Sequence, residues 1–223
     1  MKKLLSIIFA VSLVLILSLS CSVVSMAESY NLEHESNIKD KPVGEFNYSI
    51  LEGMEGYYYN KFDKCWSCYT VYDDVYSDAD FLIGIKLFGV AAGNNLEEVD
   101  LKVKIVDKEG NPIEEVKAMD FLIDDVMYSY SEMPEEKSEL VGTVVLYDSG
   151  YELVKAFAEA KEVSVRLFFF GDYYRIIDLD MDLFSTTLQA FCQTIVNNNI
   201  WDYYISDPFL SSFEEEYPLT ITR

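Results

Sequence analysis

The chain has a single histidine, His34, among 223 residues. A Ser-His-Asp or Cys-His site needs an imidazole beside its nucleophile, so either would require His34 to reach the body of the fold. Basic residues are scarce too. Seventeen lysines and arginines stand against 39 aspartates and glutamates, a formal net charge of −22. A surface of that sign repels phosphate backbones and anionic headgroups, which excludes nucleic acid as a partner. There is no G-x-S-x-G elbow, no phosphate-cradling glycine loop and no dinucleotide fingerprint. No cofactor is implied. Carboxylates are so abundant that some pair will always lie close together, so their number alone does not argue for a glycoside hydrolase.

What is present is apolar. Half of the residues are hydrophobic and 15% are aromatic, so this acidic chain buries enough surface to fold.

Residues 1–27 read as an export signal. Lys2 and Lys3 form a short basic head, Leu4 to Leu19 is an apolar run, and Ser25-Met26-Ala27 resembles a small-residue cleavage site. Cleavage there removes two lysines and no acid. It leaves 15 basic and 39 acidic side chains, a net charge of −24. Cys21, at the end of the run, resembles the lipid-attachment cysteine of bacterial lipoproteins, with Ser18 where that family usually has leucine. Cleavage after Ala27, lipidation at Cys21 and an uncleaved anchor all place the folded part outside the cytoplasm, in contact with membrane only through the N-terminal segment.

Residues 28–48 are polar and aperiodic and read as a flexible arm, and residues 206–223 as an acidic tail. Between them, residues 49–205 form one domain. Its organising stretch is 149–199. Ser149-Gly150-Tyr151-Glu152 has capping-box spacing, followed by a helical stripe of Tyr151, Val154, Phe157 and Ala158. Val163, Val165, Leu167 and Phe169 alternate as a strand. Gly171-Asp172 makes a two-residue turn with glycine at positive φ, and Tyr173 to Leu179 returns. Phe184, Leu188, Phe191 and Ile195 stripe a closing helix, which the asparagines at 197–199 end. Upstream, aromatic residues 57–76 favour a strand. Residues 81–88 are apolar at both parities, as in a strand buried on two sides. Residues 99–105 alternate apolar with charged, and 107–112 is a turn. A strand returns at 113–119, and 121–130 is a strand weakened by Asp124-Asp125. The fold class is α+β: a β-rich antiparallel sandwich-like body with a C-terminal helix–β-hairpin–helix segment.

Three constellations carry chemistry. Cys65-Trp66-Ser67-Cys68 suits a local disulfide, two ordinary thiols, a redox couple or half of a zinc site. Asp178, Asp180 and Asp182 begin like a Ca²⁺ loop, but Leu183 and Gln189 stand where a glycine and a bidentate glutamate are needed. They serve better as a strand end and a helix cap, and no metal is expected. Trp66, Tyr69 and Tyr72 suit a platform that stacks on sugar rings, or else the core. The reading is a secreted or cell-surface interaction module without catalysis. Its partner is a protein or a glycan, with an aromatic carbohydrate-binding surface or a carboxylate-dependent hydrolase as the alternatives.

Overall fold

The structure, a computed structural model, describes residues 46–54, 56–90, 95–130, 142–204 and 219–223. The export signal, Cys21, His34 and most of the arm and tail lie outside the described residues.

Two open antiparallel sheets make up most of the body. The first begins with a short edge strand, β1 (Tyr58–Asn60), and continues through three 12-residue strands, β2 (Cys65–Tyr76), β3 (Ala79–Val90) and β4 (Asn95–Val106). After the turn at residues 107–111, β5 (Pro112–Glu114) pairs with one end of β4. The Asp107 carboxylate accepts the Asn111 and Glu109 N–H groups and so closes that turn. The chain then crosses to the second sheet with β6 (Val116–Ile123) and β7 (Val126–Tyr130). It returns once, as β8 (Thr143–Val145), to pair with β4 at Asp100 to Lys102. Helix α1 (Gly150–Glu159) leads to the hairpin of β9 (Val163–Phe169) and β10 (Tyr173–Asp178), which completes the second sheet beside β6. Helices α2 (Met181–Thr186) and α3 (Leu188–Asn197) follow, and a short strand, β11 (Thr220–Thr222), pairs with β7.

Period-two alternation decides which faces are buried. In β3 the set Phe81, Ile83, Ile85 and Leu87 is fully covered. Its other face is only half-buried. In β9 the buried set is Val163, Val165, Leu167 and Phe169. Aromatic rings connect the two sheets through the helices. Tyr72 of β2 meets Phe184 of α2, Phe184 meets Phe157 of α1, and Phe157 meets Phe121 of β6, with centroids 5.4–6.3 Å apart and edge-to-face geometry.

Several local expectations give way to better-satisfied alternatives. Ser149 has helical backbone angles and makes no side-chain cap bond, so there is no capping box. The β9–β10 pairing of Phe169 with Tyr173 leaves three residues in the turn, with Asp172 as well as Gly171 at positive φ. The closing helix is two helices broken at Thr187, whose hydroxyl bonds back to the Leu183 carbonyl at 2.8 Å, as that of Thr186 does at 3.0 Å. Back-bonding hydroxyls compete with the helix ladder. The apolar stripe survives the break: Phe184, Leu188, Phe191 and Ile195 are all buried. Asp124-Asp125 is not a weak point within one strand but the two-residue turn of the β6–β7 hairpin, with both residues left-handed. The Asp124 carboxylate holds the turn by accepting the Lys161 and Glu162 N–H groups at 3.0 Å. The packed body begins before residue 49, since Phe46 is buried against Trp66.

Candidate functional site

Strand parity separates the residues of the aromatic and cysteine motifs. Trp66, Cys68 and Tyr72 face the core, while Cys65 and Tyr69 face outward. Trp66 is 2% exposed and stacks on Phe46, and Tyr72 is fully buried. Neither can meet a sugar, so the three-residue platform of Trp66, Tyr69 and Tyr72 does not exist. Tyr69 alone is available, at 47% exposure.

The disulfide is corrected on the same ground. Three residues of extended chain separate Cys65 from Cys68 by about 10 Å, beyond disulfide reach, and the two side chains leave opposite faces. Neither cysteine is in a disulfide. Burial pushes the Cys68 thiol up to about 11 and raises that of Cys192 further. Asp180 caps α2, its carboxylate accepting the Asp182 and Leu183 N–H groups at 2.9 and 3.3 Å. Asp178 instead accepts the Ser164 hydroxyl at 2.6 Å. Their oxygens thus serve the strand end and the helix cap.

The outward face of the first sheet holds the feature that sequence reasoning missed. A shallow hollow of about 490 Å³ opens over the middle of β2, β3 and β4. Its floor is Gly84. A Cβ there would sit 2.7 Å from the Thr70 carbonyl oxygen, so the close approach of β2 excludes any side chain. The register then sets the rim. Tyr69 stands across from Lys86, Lys86 from Asp100, Gly84 from Lys102, and Leu82 from Lys104. Thr143 of β8 lies opposite Lys102.

The electrostatics of this hollow are unusual for so acidic a chain. Three of its rim residues are lysines. Lys86 pairs with Glu98 at 3.3 Å. Lys102 and Lys104 point the same way from β4, and among the described residues neither makes a salt bridge. The Lys102 ammonium is pushed below its ordinary value, first by loss of surrounding water and then by Lys104. Asp100 is raised from the carboxylate range to about 7, first by burial and then by its hydrogen bond with Glu98, with Lys86 and Lys102 pulling the other way. The Thr143 hydroxyl oxygen is buried without a hydrogen-bond partner among the described residues. On the far side, the Tyr69 ring occupies the space where a side chain on residue 56 would begin, so only glycine there leaves room for the ring.

The one trace of this site in the sequence is the alternation of residues 99–105, which places Asp100, Lys102 and Lys104 on one face. Nothing in that alternation predicts which residues of β2 and β3 come to lie beside them. No protein-family model, curated protein or solved structure matches the chain.

Proposed function

We propose that this chain is an exported, non-catalytic binding module, and that the hollow over Gly84 is its ligand surface. Its sandwich-like body joins the two sheets through the helical aromatic rings, and among the described residues the outer face of the first sheet is only half-buried. Export rests on the signal-like residues 1–27. The observation that carries the reading is the hollow itself: a concavity of a size that suits a small ligand, floored by Gly84 and rimmed by Lys102 and Lys104, which make no salt bridge among the described residues. A ligand with acceptor oxygens would supply those ammonium groups with partners.

One observation favours a second reading, hydrolysis. A carboxyl held near 7 donates a proton at neutral pH, and Asp100 is such a group. A glycoside hydrolase, however, needs its two carboxyls about 5 Å or more apart, whereas Asp100 and Glu98 are in hydrogen-bond contact.

The test is a glycan array probed with the exported chain and two variants, Val71→Glu on the rim and Ile176→Glu on the outer face of the second sheet. The binding reading expects retention of some glycan by the wild type, its loss in Val71→Glu and its persistence in Ile176→Glu. Loss in Ile176→Glu alone moves the site to the other sheet. Cleavage of the retained glycan, abolished by Asp100→Asn, establishes the hydrolase instead.

A further inference from the structure

Lys102 and Lys104 are the starting point. Two ammonium groups on one face of one strand repel each other, and after loss of surrounding water Lys104 is the next cause that lowers Lys102, with Asp100 opposing it. The neighbouring carboxyls are poor neutralisers, since Glu98 is engaged with Lys86 and shares a hydrogen bond with Asp100. In a chain with 39 acidic residues, a pair of cations without a salt bridge among the described residues is a conspicuous arrangement. An oxyanion seated between them would relieve the repulsion and form charge-assisted hydrogen bonds.

The rest of the hollow narrows the class of anion. Tyr69 is half-exposed, its ring seated against Gly56, and offers an aromatic surface on which an apolar ring face can stack. Asp100 and Glu98 offer carboxyl oxygens to hydroxyl groups. Gly84 lets a ring approach the backbone. The volume of about 490 Å³ admits one or two sugar rings. A long polyanion is disfavoured, because beyond the hollow it would run over a surface of strongly negative net charge.

We infer that the hollow binds a short saccharide bearing a carboxylate, a sugar acid whose ring stacks on Tyr69 and whose carboxylate sits between Lys102 and Lys104. This rests on the reading that the hollow is the ligand surface, and it specifies what the surface takes. A free sugar acid and the acidic end of a longer glycan present the same chemistry.

The experiment is isothermal titration of the exported chain with galacturonic acid, digalacturonate, polygalacturonate and the neutral digalactose. Wild type, Lys102→Gln, Lys104→Gln, Tyr69→Ala and Val71→Glu are compared. The expected result is binding of the mono- or disaccharide acid about tenfold or more tighter than of digalactose. Each lysine variant should weaken it about tenfold, as loss of a charge-assisted contact does. Binding should weaken as salt rises from 0.05 to 0.5 M, roughly the range over which surface charges become screened. Tyr69→Ala should weaken acid and neutral sugar alike. A preference for the disaccharide over the monosaccharide identifies the end of a longer glycan as the source. Lysine variants that melt at or above the wild-type temperature show that their loss of binding is not loss of fold. Equal binding of digalactose and digalacturonate, unchanged in the lysine variants but lost in Val71→Glu, overturns the acid specificity and leaves the ligand surface standing. Binding of the acids that survives Val71→Glu overturns both. Tightest binding to polygalacturonate, or no binding of any acid, overturns the inference.

Discussion

Tyr72 and Asp180, 108 residues apart in the chain, are joined by a hydrogen bond of 2.9 Å in which the Asp180 backbone N–H donates to the Tyr72 hydroxyl. The same hydroxyl donates to the Asp74 carboxylate at 3.0 Å. Asp180 in turn caps α2, whose Phe184 packs on the Tyr72 ring. One side chain of the first sheet therefore fixes where the first closing helix begins. The polar tip of Tyr72 is used for this anchoring, which is why its body can be buried whole.

Removing the anchor separates its two parts. Tyr72→Phe keeps the ring contact with Phe184 and leaves the Asp180 N–H and the Asp74 carboxylate short of a partner. It should cost about 1–2 kcal/mol. Asp180→Ala removes the cap and should cost about 1 kcal/mol. Asp180→Ala keeps the backbone N–H that donates to Tyr72, so the hydrogen bond survives in it and the double variant should lose about the sum. Urea melts of the four chains measure both losses. A Tyr72→Phe chain as stable as the wild type would show that the hydrogen bond contributes nothing.

The core allows no charge. Val165 is fully buried on β9 and Phe191 is 2% exposed on α3. Val165→Asp and Phe191→Asp each bury an unpaired carboxylate or force it to stay protonated, and either outcome should exceed about 3 kcal/mol. Loss of the cooperative far-UV circular dichroism melt at neutral pH is the expected result. A wild-type melt for either variant would place that residue at the surface.

Asp100 makes stability depend on pH. Folding raises its pKa from the ordinary carboxylate value of 3.8 to about 7. Between those values the folded chain holds a proton that the unfolded chain has lost, so this group's contribution to stability falls as pH rises from 3.8 to about 7 and remains low above that. Asp100→Asn keeps the shape without the charge. It should raise the melting temperature at pH 8 by about 2–4 °C, leave it nearly unchanged at pH 4, and flatten the slope between. An equal shift at both pH values would show that Asp100 titrates normally.

The cysteines should behave as three separate thiols in a chain cleaved after Ala27. Under native conditions iodoacetamide should reach Cys65 first, since Cys68 and Cys192 are buried and burial raises the pKa of both. Intact mass should show about one adduct native and three after denaturation, with no change on adding reductant. A loss of two mass units reversed by reductant would require β2 to come apart at Cys65–Cys68.

The sequence by itself determined what is local and periodic. Alternation in residues 99–105 and 163–169 picks out two strands and their buried sets, and the stripe from Phe184 to Ile195 picks out the closing helical face, because side-chain direction follows from backbone period alone. Residues 81–88 read as a strand but, apolar at both parities, did not show that only the Phe81 set is fully covered. The asparagine stop is legible too, with Asn199 left-handed at the helix end. Only the tertiary structure decided which parity of an aromatic strand faces inward. The spacing of Trp66 and Tyr72 is the same whether they face a ligand or pack on Phe46 and Phe184. The pairing of β2 with β3 and of β3 with β4 also sets which charges become neighbours. Lys86, Asp100 and Lys102 come from two strands, and the dip between them exists because Gly84 happens to fall under their register. Register is a property of pairs of strands, and a list of residues read one strand at a time does not contain it.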